Sequence, residues 1–283
     1  MRARPIVRSS GRPVVPDNRI ATKLGANQAA GRKSFVAYIS AGDPSLDATV
    51  ELAVAMGEAG VDVLELGVPF SDPMADGPAI QASYERALKA GATLRGVLDA
   101  VRRIRARSPL PLLLFTYLNP VLSYGTEAFA KDAATAGADG VLLLDLPPEQ
   151  DPAMLATMQA HGLATVCLAA PTTTPTRKAF LARNSRGFLY YICRLGVTGE
   201  RVDLPTDLAQ KVKAIKRGTG IPVCIGFGIS TPEQAAAAAK AGDGAVVGSH
   251  LVKLVETHGA SPDLVRIVAA RAGELASAVH AVV

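Results

Sequence analysis

Two carboxylates frame the segment Glu65-Leu-Gly-Val-Pro-Phe-Ser-Asp-Pro-Met-Ala-Asp76-Gly-Pro, and their setting makes acid–base chemistry the first expectation. Residues 61–66 read as a short apolar strand that follows an Ala- and Gly-rich helix end. A glutamate inside such a strand sheds its hydration shell, which costs free energy unless a partner compensates or the carboxyl takes up a proton. A buried ion pair with an arginine is the structural reading of the same residue. The loop that follows carries Pro69, Pro73 and Pro78 with Gly77, and the prolines stiffen a segment otherwise free to wander. Glu65 at a strand end and Asp76 on a stiff loop form a candidate acid/base pair in one pocket.

The elements that must hold this pair repeat along the chain. Strand-like apolar runs fall at 35–39, 61–66, 111–117, 140–144, 164–168, 188–192, 222–225 and 245–247. Ala-rich helical segments such as 47–59, 94–106, 126–136, 208–217 and 232–241 lie between them. Gly60, Gly137, Gly162, Gly218 and Gly242 stand where C-caps belong. Strands with no alternating polar face imply a parallel sheet covered on both sides. Eight β/α units point to a closed TIM barrel with no edge strand to protect, and a doubly wound open sheet is the alternative. No linker divides the chain: residues 1–17 read as a basic flexible tail, and 18–283 as one catalytic barrel with an extra N-terminal helix.

In a parallel barrel the C-terminal strand ends share one face, where catalytic groups collect. That face receives Ser40-Ala-Gly-Asp43, Glu65 with the Asp76 loop, Tyr117-Leu-Asn119-Pro120, Asp145 and Arg194-Leu-Gly-Val-Thr198-Gly199. It also receives Gly226-Phe227-Gly228-Ile-Ser230 and Gly248-Ser249, each read as leading directly into a helix. Backbone N–H groups at such places approach an anion closely, and barrels often hold phosphate after strands seven and eight. Ordinary strand-to-helix turns, capped by Ser230 and Ser249, are the other reading. No lysine ends a strand, so imine chemistry lacks its nucleophile. The four histidines, His161, His250, His258 and His280, show no metal-ligand spacing, and no Walker A or dinucleotide fingerprint appears. Carboxylate acid–base catalysis remains. Carbon–carbon cleavage on those terms needs a leaving group that accepts electrons once protonated, and an indole protonated at C3 is one.

Composition narrows the classes further. With 49% hydrophobic residues but only 5% aromatic ones and no Trp, the core must be Ala, Val and Leu. The net charge of +5 is concentrated at Arg2, Arg4, Arg8, Arg12 and Arg19. No basic stripe interleaved with aromatics supports nucleic-acid binding. No apolar run reaches the ~18 residues of a membrane span, and no apolar stretch follows the N-terminal arginines as in a secretory signal. Cys167, Cys193 and Cys224 lie singly in apolar runs, as reduced core residues of a cytoplasmic protein do.

The segment LELGVPFSDPMADGPAIQ, with AGDPS, GVTG, GFGISTPEQ and GSHLVK in order, closely resembles the tryptophan synthase α-subunit family. The match runs from about Asn18 to the C-terminus. It implies a TIM barrel that cleaves indole-3-glycerol phosphate to indole and glyceraldehyde 3-phosphate in L-tryptophan biosynthesis. It also implies that indole passes to a pyridoxal-phosphate-dependent β subunit in an α2β2 assembly, with no cofactor or metal in this chain. By the same resemblance Glu65 is the acid/base at indole C3 and at the glycerol hydroxyl, and Asp76 is the carboxylate on the indole N–H. Tyr38, Phe115, Tyr117, Leu142 and Leu168 fall where the family lines its indole pocket, and Tyr190 falls near the acid/base. Arg194, Gly196, Thr198 and Gly199 fall on a closing loop whose threonine meets the Asp76 equivalent. Phe227, Gly228, Gly248 and Ser249 fall at the phosphate, and Pro69, Asp72, Asn119 and Pro120 at the β-subunit contact. Two departures are a shorter 199–205 segment and a longer basic tail. A free-standing indole-3-glycerol phosphate lyase shares the same chemistry, and a non-catalytic phosphate-binding barrel would not need the buried glutamate.

Overall fold

The computed structural model describes residues 18–192, 207–226 and 228–282. Nine strands form one all-parallel sheet: β1 (Ser34–Ser40), β2 (Val63–Gly67), β3 (Leu112–Thr116), β4 (Gly140–Leu143), β5 (Ala164–Thr165), β6 (Cys167–Ala169), β7 (Leu189–Ile192), β8 (Val223–Gly226) and β9 (Gly244–Val247). Their order is β5-β4-β3-β2-β1-β9-β8-β7-β6. The two ends of that sheet are two pieces of one strand, separated only by Val166, whose N–H donates to Val141 O at 3.0 Å. The lower piece pairs with β4 and the upper with β7, so the ring closes through it and the open-sheet alternative falls. Each expected strand lies within two residues of its observed ends, but the single strand expected at 164–168 is broken at Val166.

Side chains alternate between two cores, as strand geometry requires. Inward-facing Val36, Val63, Leu113, Leu142, Phe188 and Val246 fill the barrel, and Ile20 and Leu24 of the helix Arg19–Ala29 join them. A Cβ on Gly140, at the start of β4, would stand 3.1 Å from Ile20 Cδ1, so the N-terminal helix plugs the barrel floor. The outward faces pack with Leu52, Val101, Phe129, Ala238 and Ala272 of the surrounding helices.

Helix ends follow the local chemistry. Ser45, Thr93 and Thr231 accept backbone N–H bonds as N-caps, and Thr231 with Gln234 completes a capping box. Gly60, Gly137, Gly162 and Gly218 take positive φ. Gly242 ends its helix in extended backbone, and a Cβ there would meet Val223 O and Ile225 Cδ1 at 2.8 Å, which leaves room only for glycine.

The floor carries a repeated fastening. Asp62 Oδ2 accepts from Phe35 N at 2.8 Å, Asp139 Oδ2 from Leu112 N at 2.9 Å, and Asp243 Oδ2 from Val223 N at 2.9 Å. Each aspartate just before one strand thereby holds the start of the strand preceding it. Cations compensate them, Lys23 at Asp62, Arg19 and Arg105 at Asp139 and Lys216 at Asp243, and His280 Nε2 lies 2.7 Å from Asp62 Oδ2. Among the described residues no helix is long and apolar enough to cross a membrane.

Candidate active site

Glu65 occupies the middle of β2, in register with Tyr38 on β1 and Leu113 on β3. It is 1% exposed, and among the described residues its Oε1 has no hydrogen-bond partner. No ion pair reaches it among the described residues, so the arginine-paired reading does not hold. Burial pushes its pKa up to about 8, because the charged form has lost water and gained nothing in return.

Asp76 lies on the loop after β2 and is fully buried. The Tyr117 hydroxyl donates to its Oδ2 at 2.7 Å and itself accepts from Ala75 N at 3.0 Å. The loop closes on itself through Asp76 N to Pro73 O at 3.0 Å, and Gln81 Nε2 donates to Asp76 O at 2.7 Å. Among the described residues Oδ1 is left without a partner. Burial raises the Asp76 pKa to about 6 against the opposing Tyr117 bond. The two carboxyls therefore differ in environment: one bare, one held by a phenol. Both lie within electrostatic reach of Tyr38, whose ionisation they oppose after burial itself has done so.

Aromatic and leucine side chains wall this space. Tyr38 and Phe115 meet edge-on at 5.1 Å between centroids, Tyr117 packs on Phe70 at 5.2 Å, and Phe188 on Tyr190 at 6.4 Å. Leu142 is fully buried, while Leu168 and Tyr190 are half-buried. A Cβ on Gly67 would overlap the Tyr38 hydroxyl, and one on Gly226 would stand 2.5 Å from the Tyr190 hydroxyl, so these glycines make room for the rings. Tyr38 Oη donates to Tyr84 Oη at 3.0 Å, which fixes the ring in place.

The glycine loops differ from each other. Gly248 is the N-cap of the helix Ser249–His258 and Ser249 its first residue, so that turn does enter a helix directly. Gly228 (φ 84°) is followed by three residues before the helix Pro232–Ala241. The Ser230 and Ser249 caps of the alternative reading are not there: Thr231 caps one helix, and the other has no side-chain cap. Ser230 instead bonds Gln234 Oε1 through its N–H at 2.8 Å. Arg194, Gly196, Thr198, Gly199 and Phe227 lie outside the described residues, as do Cys193, the 199–205 segment and the tail 1–17. Cys167 and Cys224 are buried and unpaired.

Of the expected contact residues on the rim, Asp72 and Asn119 are exposed and Pro120 is half-buried. Pro69 is buried within the chain and presents no surface. Beside them Met74 is 80% and Leu122 52% exposed, and the sequence reading missed both. A Met at the tip of a proline-stiffened loop was the available signal. Tyr117 was read as pocket wall, and its bond to Asp76 could not be seen without the fold. A cavity of about 200 Å³ between Leu143, Leu146, Leu155 and Leu181 shares Leu168 with this site, and neither carboxylate lines it. Among the described residues no group of three or more His, Cys, Asp or Glu could hold a metal ion.

Comparisons with known proteins point to one family. A family model described as tryptophan synthase alpha chain matches residues 24–280. The tryptophan synthase alpha chain of Geobacter sulfurreducens is 50% identical over 239 residues, covering 84% of this chain and 90% of its own length. That of Caulobacter vibrioides is 44% identical over 265 residues, covering 93% and 96%. The solved α subunit of Legionella pneumophila superposes with a TM-score of 0.84 at 38% identity, covering 93% and 98%. A chain of Mycobacterium tuberculosis tryptophan synthase gives 0.85 at 36%, also covering 93% and 98%. With its length matched almost throughout, the chain belongs to the tryptophan synthase alpha chain family.

Proposed function

We propose that this chain cleaves indole-3-glycerol phosphate, with Glu65 as proton shuttle and Asp76 as electrostatic partner of the indole nitrogen. The observation that carries the reading is the buried, unpartnered Glu65 carboxyl, whose pKa of about 8 keeps it protonated at neutral pH. It delivers that proton to indole C3, which places positive charge on the ring nitrogen. Asp76, ionised above about 6 and held by Tyr117, faces that charge with Oδ1. The side-chain hydroxyl next to C3 then returns a proton to Glu65 as its C–O bond becomes a carbonyl. The carbon–carbon bond breaks, and its electron pair neutralises the ring. Indole and glyceraldehyde 3-phosphate leave, and Glu65 ends as it began.

Tyr38, Phe115, Leu142, Leu168 and Tyr190 enclose the indole, and the backbone at Gly228, Gly248 and Ser249, with Phe227, receives the phosphate. Arg194, Gly196, Thr198 and Gly199 close over the substrate. A β subunit carrying pyridoxal phosphate takes the indole in an α2β2 assembly in the cytoplasm, and this chain needs no cofactor of its own. Asp72, Asn119 and Pro120 on the rim, with exposed Met74 and Leu122, make the contact surface. Indole release from indole-3-glycerol phosphate, with and without a tryptophan synthase β subunit, tests the whole reading. Release strongly accelerated by β supports it; fast release indifferent to β identifies a free-standing lyase, and no release in either case refutes catalysis.

A further inference from the structure

The last helix, Leu264–His280, is distant in sequence from both glycine loops yet reaches them through one side chain. Arg271 Nη2 donates to Ser230 O at 2.8 Å, and its Nε donates to His250 Nε2 at 3.0 Å. Its third edge, Nη1, meets Glu274 Oε2 at 2.6 Å on the same helix. Ser230 belongs to the loop that follows β8, and His250 to the first turn of the helix that follows β9. One planar guanidinium thus spans the two segments between which the phosphate is placed.

A guanidinium has only donors, so His250 takes the accepting part in this bond through Nε2. The Ser230 carbonyl is engaged by the same cation at 2.8 Å. The Arg271 side chain is three-quarters buried, so its charge is screened less than a surface cation's.

We propose that Arg271 is a positioning residue for phosphate binding: it braces the two glycine loops at a fixed separation through Ser230 and His250. The proposal rests on the phosphate site proposed above. Arg271 itself touches neither substrate nor the reacting atoms.

The test uses the full chain and measures kcat and KM for indole-3-glycerol phosphate, inhibition by inorganic phosphate, and thermal stability. Arg271→Met should raise KM and the phosphate inhibition constant together by about tenfold, with kcat at saturation within about twofold. Arg271→Lys, which keeps the charge and one donor, should recover part of the loss. His250→Ala should weaken phosphate inhibition, and the double variant should be little worse than Arg271→Met because both remove one shared contact. Should Arg271→Met fail to fold, the lysine and His250 variants carry the test. Unchanged KM and phosphate inhibition in these variants, or a fall in kcat alone, would overturn the proposal and leave Arg271 a fold brace. Ser249→Asp separates the two readings by placing a carboxylate where the anion should sit. If it abolishes phosphate inhibition while the Arg271 variants do not, only the bracing role fails. If phosphate inhibits Ser249→Asp as it does the wild type, the phosphate site fails and the bracing role with it.

Discussion

Tyr117→Phe removes one oxygen and asks how much of the chemistry depends on the state of Asp76. As pH rises through about 6 the Asp76 carboxylate forms and activity should rise; as it passes about 8 Glu65 loses the proton it must deliver and activity should fall. The profile of kcat/KM is therefore a bell, with both groups in the working form in roughly 80% of molecules at pH 7. The phenol bond to Asp76 Oδ2, at 2.7 Å, holds the acid limb down. A hydrogen bond to a charged group contributes about 1.5–3 kcal/mol, so its loss moves that limb up by ~1 to 2 pH units. The working fraction at pH 7 then drops to between roughly 45% and 8%, a loss of about two- to tenfold. Indole release from sub-saturating substrate between about pH 5 and 10 reads this directly, because kcat/KM reports the free enzyme. An acid limb that stays in place in a folded Tyr117→Phe variant would refute the reasoning. So would a wild-type profile with no alkaline fall.

Glu65→Gln should abolish cleavage and stabilise the fold. The carboxyl ionises near 4.5 in the unfolded chain but only near 8 in the folded one, so folding is penalised progressively as pH rises between those values. Relief should reach about 3 kcal/mol at pH 7 and vanish by pH 4, read from denaturant melts at both. Met74→Asp and Leu122→Asp change exposed side chains on the rim. Each should leave indole release by the chain alone within about twofold while cutting activation by the β subunit about tenfold or more, and undiminished activation would move the interface elsewhere. Gly67→Ala pushes a methyl into the Tyr38 hydroxyl. It should cost about 1–3 kcal/mol and raise KM, checked by melting and kinetics together; a variant indistinguishable from wild type would mean the Tyr38 ring has room to move.

The strands were legible because parallel strands covered on both faces read as bare apolar runs, and a barrel of this size leaves few ways to arrange eight of them. The break at Val166 was not legible, since one residue passing from one neighbour to the other leaves the apolar pattern untouched. Glu65 announced itself as a charge in an apolar run. Asp76 announced itself through the loop's prolines and the family resemblance. The partners of these groups did not: Tyr117 reaches Asp76 across 41 residues, and Arg271 reaches Ser230 across 41 more. Contacts of that span leave no local mark, because burial pattern records which face a side chain is on and not what it meets there. Ser230 and Ser249 failed as caps for a related reason, the true starts being set by where the strand ends let the backbone turn.

The three aspartate clips on the floor bear on how such a ring gets assembled. Each spans only 20 to 27 residues, one strand and the crossover that follows it. Loops of that length close at small entropic cost, so a unit can fasten as soon as its own crossover exists, before any distant strand arrives. Ring closure between β1 and β9 then joins parts already sealed. During synthesis the chain need not hold an unfinished sheet open from one end to the other. The rim, relieved of that task, is free to keep two poorly satisfied carboxyls.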